Sequence, residues 1–92
     1  MILVPYISKK FKKDVKRLKK QGRDMQKLKD IVEMLCNGQE LPDKFRDHSM
    51  TGDWQGFKDC HIEPDWVLIY RVESENLVLV LSRTGSHSDL GL

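Results

Sequence analysis

The chain has few cysteines, prolines and long apolar runs, and each shortage excludes something. Cys36 and Cys60 are the two cysteines. They form no CxxC pair and are too few for a disulfide scaffold, so a reduced, cytoplasmic protein is expected. No stretch approaches the roughly 20 apolar residues of a membrane helix. The N-terminal segment MILVPYISKK places its apolar run before its lysines, the reverse of a secretory signal. The six glycines form no phosphate-binding loop, so no nucleotide cofactor is expected. No HxH or HExxH pair supports a metal site, and none is expected. Repeats, low-complexity segments and interdomain linkers are absent, so residues 1–92 read as one domain.

Charge is plentiful but uneven. The formal net charge is +2. Residues 1–23 hold nine basic groups against the single acid Asp14, a net of +8, and the other 69 residues carry a net of −6. A basic N-terminal element on an acidic body fits an anionic partner, either nucleic acid or an acidic protein. It also fits a solvated lysine-rich face, and charge alone does not choose.

The periodicities predict an order of β-α-α-β-β-β. Ile2 to Tyr6 is β-branched and apolar, with Pro5 suited to a sheet edge. Ser8 can cap a helix whose stripe is Phe11, Val15 and Leu18. Asp24 can cap a second helix with Met25, Leu28, Ile31, Val32 and Leu35 on one side. Gly22 and Gly38 are the stop signals of the first and second helix. Residues 39–53 break the pattern and read as a loop. Strands are expected at 54–62, 66–72 and 76–82, joined by turns at 63–65 and 73–75. The run LVLVLS, apolar on both parities, reads as a central strand buried on both faces. The fold class is α+β, a helical hairpin packed on a small, mostly antiparallel sheet.

The polar residues with chemistry lie in the second half. His48, His61 and His87 all follow residue 47. Asp65 occupies the turn after His61, and Arg83 lies four residues before His87. These converge if the loop before the second strand, the turn after it and the C-terminal segment share one part of the sheet. Imidazole titrates near neutral pH and can give or take a proton. A carboxylate can act as base or orient a histidine, and an arginine can hold a phosphate. Such a set cleaves RNA without metal, because RNA carries its own nucleophile, the 2′-hydroxyl. Each residue also has an ordinary reading. His61 can be a structural histidine, His48 an exposed one, Asp65 a turn residue and Arg83 a strand end. The two cysteines read as core thiols. Trp54, Phe57, Trp66 and Tyr70 read as core before they read as base-stacking groups.

Two motifs sharpen this. The segment Asp47-His48-Ser49-Met50-Thr51-Gly52-Asp53-Trp54-Gln55-Gly56-Phe57-Lys58-Asp59-Cys60-His61-Ile62-Glu63-Pro64-Asp65-Trp66 resembles the DH-x-L-x-G-x-W-x-G-[YF]-R-[DE]-x-H-[IV]-x-P-D-[WL] stretch of YafQ-type toxins. Arg83-Thr84-Gly85-Ser86-His87 resembles their R-[TL]-G-[ST]-H ending. These toxins belong to the RelE/ParE superfamily of bacterial type II toxin–antitoxin systems. The resemblance spans essentially the whole chain and implies a RelE-like fold. It implies a ribosome-dependent, metal-independent endoribonuclease that cuts messenger RNA in the ribosomal A site and so inhibits translation.

On that resemblance the catalytic set is His48, His61, Asp65, Arg83 and His87. His87 would protonate the leaving 5′-oxygen. Asp65 would be the base for the 2′-hydroxyl, with His61 as competitor or helper. Arg83 would neutralise the phosphate and His48 would position or stabilise it. Lys9, Lys10, Lys12, Lys13, Lys16, Lys19 and Lys20 would face ribosomal RNA, and Trp66 would pack or touch substrate. The implied partners are the ribosome, messenger RNA and a cognate antitoxin, an acidic or DNA-binding small protein that would form a hetero-oligomer with the toxin; no membrane is involved. The resemblance departs at Gly91, where relatives usually carry a phenylalanine. Two rival readings remain. One is a gyrase-directed, ParE-like protein, against which the histidines argue. The other is a catalytically inactive co-repressor acting with its antitoxin.

Overall fold

Two capped helices and a five-stranded sheet build the protein. The computed structural model describes residues 2–92. The elements are β1 (Val4–Ile7), α1 (Lys9–Lys20), α2 (Met25–Cys36), β2 (His48–Ser49), β3 (Lys58–Glu63), β4 (Trp66–Glu73), β5 (Val78–Gly85) and α3 (His87–Leu90). Single 3-10 turns occupy Asp43–Phe45 and Gly52–Trp54.

Both helices start where a side chain satisfies an orphan backbone donor. The Ser8 hydroxyl accepts the Phe11 N–H at 3.0 Å, and the Asp24 carboxylate accepts the Gln26 N–H at 3.1 Å. Each helix buries one stripe: Phe11, Asp14 and Leu18 on α1, and Leu28, Ile31 and Leu35 on α2. Val15, expected in the stripe, is half-buried, and Asp14 takes the inner position.

The strand order is β1-β5-β4-β3-β2. All pairings are antiparallel except β1 with β5. The protein is thus α+β with a mostly antiparallel sheet, as the sequence predicts. Pro5 sits on the edge strand, where its missing N–H costs no ladder bond.

Three expectations need correction. The strand buried on both faces is β4, not β5. Trp66, Leu68 and Tyr70 point into the main core under the helices, and Val67 and Ile69 into a smaller one with Leu90 on the other face. In β5, Val78 and Val80 stay half-buried, because the edge strand β1 brings no layer to cover that face. β3 starts at Lys58 rather than Trp54, which is taken up by a 3-10 turn. β5 spans Val78–Gly85 rather than 76–82, and the chain then forms the short helix α3, with a capping box between Ser86 and Asp89.

Candidate active site

The sheet brings the three histidines together from three separate elements. His48, in β2, pairs directly across from Asp59 of β3. Asp59 and His61 lie two apart on β3 and so share a face. Asp59 pairs in turn with Ile69, a member of the small core away from the helices. The site therefore lies on the sheet face opposite α1 and α2. His87 opens α3 and comes back over this face. The His61 ring centroid is 5.2 Å from that of His87 and 6.4 Å from that of His48, with both pairs edge to face.

Each outer histidine is held by a specific partner. His87 Nδ1–H donates to Asp65 Oδ1 at 2.7 Å, and the His87 backbone N–H donates to the same oxygen at 3.0 Å. These bonds keep the exposed Asp65 carboxyl below the usual carboxylate range, the side-chain bond from His87 being the larger cause. They leave His87 Nε2 free. His48 Nδ1–H donates to the Arg46 carbonyl at 2.8 Å. Its Nε2 faces Asp59 Oδ1 at 3.0 Å, an ion-pair distance without hydrogen-bond alignment.

Asp59 is 6% exposed. Burial pushes its pKa up, and the three imidazoles around it pull the other way. Burial pushes the His61 pKa down; the Asp59 carboxylate opposes this, and the neighbouring His87 adds to it. At neutral pH His61 is therefore an uncharged imidazole able to accept a proton.

Arg83 lies outside this group. Its Nε and Nη2 donate to Asp14 at 2.7 and 3.1 Å. Asp14 is only 2% exposed and also accepts from Arg17 Nη1 at 2.9 Å and from the Thr84 N–H at 3.1 Å. Burial alone would raise the Asp14 pKa, but these donors overcome it and hold the carboxyl low. Trp66 is fully buried, which corrects its expected substrate contact. Its indole N–H donates to Thr84 Oγ1 at 2.9 Å, and the Thr84 hydroxyl donates to the Val67 carbonyl at 2.9 Å. Arg17 also reaches the Thr84 carbonyl at 3.1 Å. Gly85 makes room for this: a Cβ there would stand 2.6 Å from Arg17 Nη2. The network thus pins the strand end that delivers His87. Gly91 closes α3 in the left-handed conformation, φ +71°, which glycine adopts without strain.

The lysines expected to face ribosomal RNA are all exposed on α1. Sequence reasoning passed over Asp59 and the buried role of Asp14. Asp59 had no signal beyond lying two residues before His61. Asp14 did have one, since it falls between Phe11 and Leu18 on the apolar side of a lysine-rich helix.

Comparison with known proteins decides the family. The profile of YafQ, described as a bacterial toxin of type II toxin–antitoxin systems, matches residues 4–91. The chain belongs to the YafQ toxin family. It is 42% identical over 84 residues to the mRNA interferase toxin YafQ of Escherichia coli K12, covering 90% of this chain and 89% of the relative. The YafQ fold in the E. coli DinJ–YafQ toxin–antitoxin complex superposes with a TM-score of 0.88 at 38% identity, covering 98% of each chain. A metal-bound toxin from Helicobacter pylori superposes with a TM-score of 0.89 at 40% identity, covering 98% of this chain and 99% of that one. Among the described residues of this YafQ-family chain, no helix is long and apolar enough to cross a membrane.

Proposed function

We propose that this protein is a ribosome-dependent messenger-RNA endonuclease that cuts A-site codons by 2′-hydroxyl attack. It is an endoribonuclease of the mRNA interferase class, the activity named for its E. coli relatives. The observation that carries the mechanism is the contact of three imidazoles, one of them bonded to Asp65.

The 2′-oxygen attacks the adjacent phosphorus. Neutral His61 takes the 2′-hydroxyl proton. Asp65 is occupied by two bonds from His87, which favours His61 over it as the base. Charged His87 gives a proton from Nε2 to the leaving 5′-oxygen, while Asp65 holds Nδ1–H and balances the imidazolium. The P–O5′ bond breaks, giving a 2′,3′-cyclic phosphate and a 5′-hydroxyl. His48, with Asp59 behind it, positions or stabilises the phosphate. Arg83 acts by positioning, since its guanidinium is committed to Asp14.

The lysines of α1 bind ribosomal RNA through phosphate charge. The partner is an antitoxin, as DinJ is for YafQ in the E. coli complex. The site of action is the cytoplasm, where translating ribosomes are.

The test is the chemistry of the cut ends in EDTA. Fragments ending in 2′,3′-cyclic phosphate and 5′-hydroxyl are expected, at an undiminished rate. Fragments with 5′-phosphates, or cutting that stops on chelation, would contradict the mechanism.

A further inference from the structure

A groove opens beside the imidazoles, between α2, the Asp43–Phe45 turn and the far end of β3. Its volume is about 540 Å³. Ile31, Met34, Phe45 and Ile62 give it an apolar floor, and His61 forms part of its wall. Lys27, Lys44 and Arg46 line it as cations, against Asp30 and Glu63.

The charges are not equivalent. Glu63 pairs with Lys27 at 2.8 Å and with Arg23 at 3.1 Å, so both of those cations already have a carboxylate partner. Asp30 accepts a hydrogen bond from Gln26 at 2.8 Å. Among the described residues, Lys44 and Arg46 form no ion pair. The Lys44 ammonium lies over the Phe45 ring, 5.1 Å from its centroid.

Arg46 is the more telling of the two. It holds a left-handed backbone, φ 49° and ψ 47°, which is uncommon for a side chain of its kind. That conformation directs its carbonyl to His48 Nδ1. Its charge also reaches His61, whose pKa it helps to lower. One strained residue thus joins the groove to two of the three imidazoles.

We infer that this groove seats the nucleotide next to the scissile phosphate, with Arg46 holding that nucleotide's phosphate and Phe45 packing on its base. The inference rests on the endonuclease reading. With Arg83 spent on Asp14, Arg46 is the unpaired guanidinium nearest the imidazoles that the structure offers a phosphate. The mixed lining fits an apolar base face joined to a negatively charged backbone. The groove and the catalytic imidazoles share His61, so a chain threading one would continue into the other.

Two measurements on the intact protein test this. The first is an NMR titration with the four 2′-O-methyl homo-trinucleotides, which cannot be cut. Shifts at Ile31, Phe45 and Ile62 are expected. Arg46→Gly keeps the left-handed backbone available and removes only the side chain. It should weaken binding at least fivefold and reduce the salt slope by about 0.7, the loss of one single-strand phosphate contact. Arg46→Lys should restore most of the affinity.

The second measurement is ribosome-dependent cleavage. Measured well above the acidic limb of the pH–rate profile, where His61 is neutral with or without the Arg46 charge, Arg46→Gly should raise KM about tenfold while kcat stays within about threefold, the pattern of lost uniform binding. Trinucleotides that leave the groove unshifted, Arg46→Gly binding like wild type, or a fall in kcat at unchanged KM would each overturn the inference. A wild type that cuts ribosomal messenger while its groove stays empty fails this inference alone. A wild type that fills the groove and cuts nothing fails the endonuclease reading alone.

Discussion

At the residue scale, partners decide what each polar group can do. His61 and His87 are both half-buried imidazoles 5.2 Å apart, yet their surroundings differ. Burial and the nearby His87 hold the His61 pKa down, while Asp65 accepts the Nδ1–H of His87. The acidic limb of the single-turnover rate should therefore fall below pH 6.5, the ordinary imidazole value. Asp59→Asn should move that limb lower still, because the carboxylate that favours charged His61 is gone. A pH–rate profile checks both, and a limb that rises in Asp59→Asn would contradict the assignment.

Arg83 makes a second contrast. Arg83→Ala should cost about 3 kcal/mol of stability, since Asp14 would be left buried without its main cation. His87→Ala should cost little stability but lower the cleavage rate by about 10²–10⁴. The Arg83→Ala deficit has a defined pH dependence. Folded Asp14 titrates below its ordinary value of 3.8, so its stabilising pairing is present above that value and lost as pH falls through the folded one. The gap between variant and wild type should narrow on acidification, as denaturant midpoints across pH would show. Equal stability of Arg83→Ala and wild type at pH 7 would put the arginine back among the phosphate ligands. The sequence made the five catalytic candidates visible as residue types, but not these partners. Asp59 looks like any charged residue beside Lys58, and only the register that sets it opposite His48 shows its place.

At the element scale, α1 has two unlike sides. Phe11, Asp14 and Leu18 face the sheet, and the lysines face solvent. Reversing charge at Lys12, Lys13 and Lys16 together should weaken ribosome binding at least tenfold and flatten its salt dependence. The melting temperature should stay nearly unchanged, because these positions make no buried contact. Unchanged ribosome affinity across a salt titration would remove α1 from the interface.

The helices were the most legible elements, since their apolar spacing and capping residues Ser8 and Asp24 are local signals. The strands were less so. β4 and β5 are both continuous apolar runs, and nothing local says which becomes the middle of the sheet. That depends on β1 adding in parallel beside β5, a pairing across more than seventy residues. β2 is two residues long and exists because His48 and Ser49 find Asp59 and Lys58. No periodicity can show in so short a segment.

At the scale of the whole molecule, the fold puts the lysine-rich helix surface and the imidazole cluster on different sides of the sheet. The helices cover one sheet face and present the basic surface. The other face gathers His48, His61 and His87 over a smaller core. The Asp14 network passes from α1 to the end of β5 and fixes the segment carrying His87. Trp66 belongs to that brace. Trp66→Phe should lower stability by about 2 kcal/mol, through lost volume and the missing donor to Thr84. It should reduce cleavage only as far as it loosens His87. Topology is what gathers four of the five dispersed candidates, His48, His61, Asp65 and His87, into one cluster, and it is also why spacing alone suggested only an acid–base site.

The most direct test is cleavage mapping of a defined messenger in a purified translation system, with EDTA-treated protein and His87→Ala alongside. Cuts confined to A-site codons, seen only with ribosomes and only with His87 intact, are expected. A well-folded wild type that leaves the messenger whole, or a His87→Ala variant that cuts as well as wild type, would contradict the account.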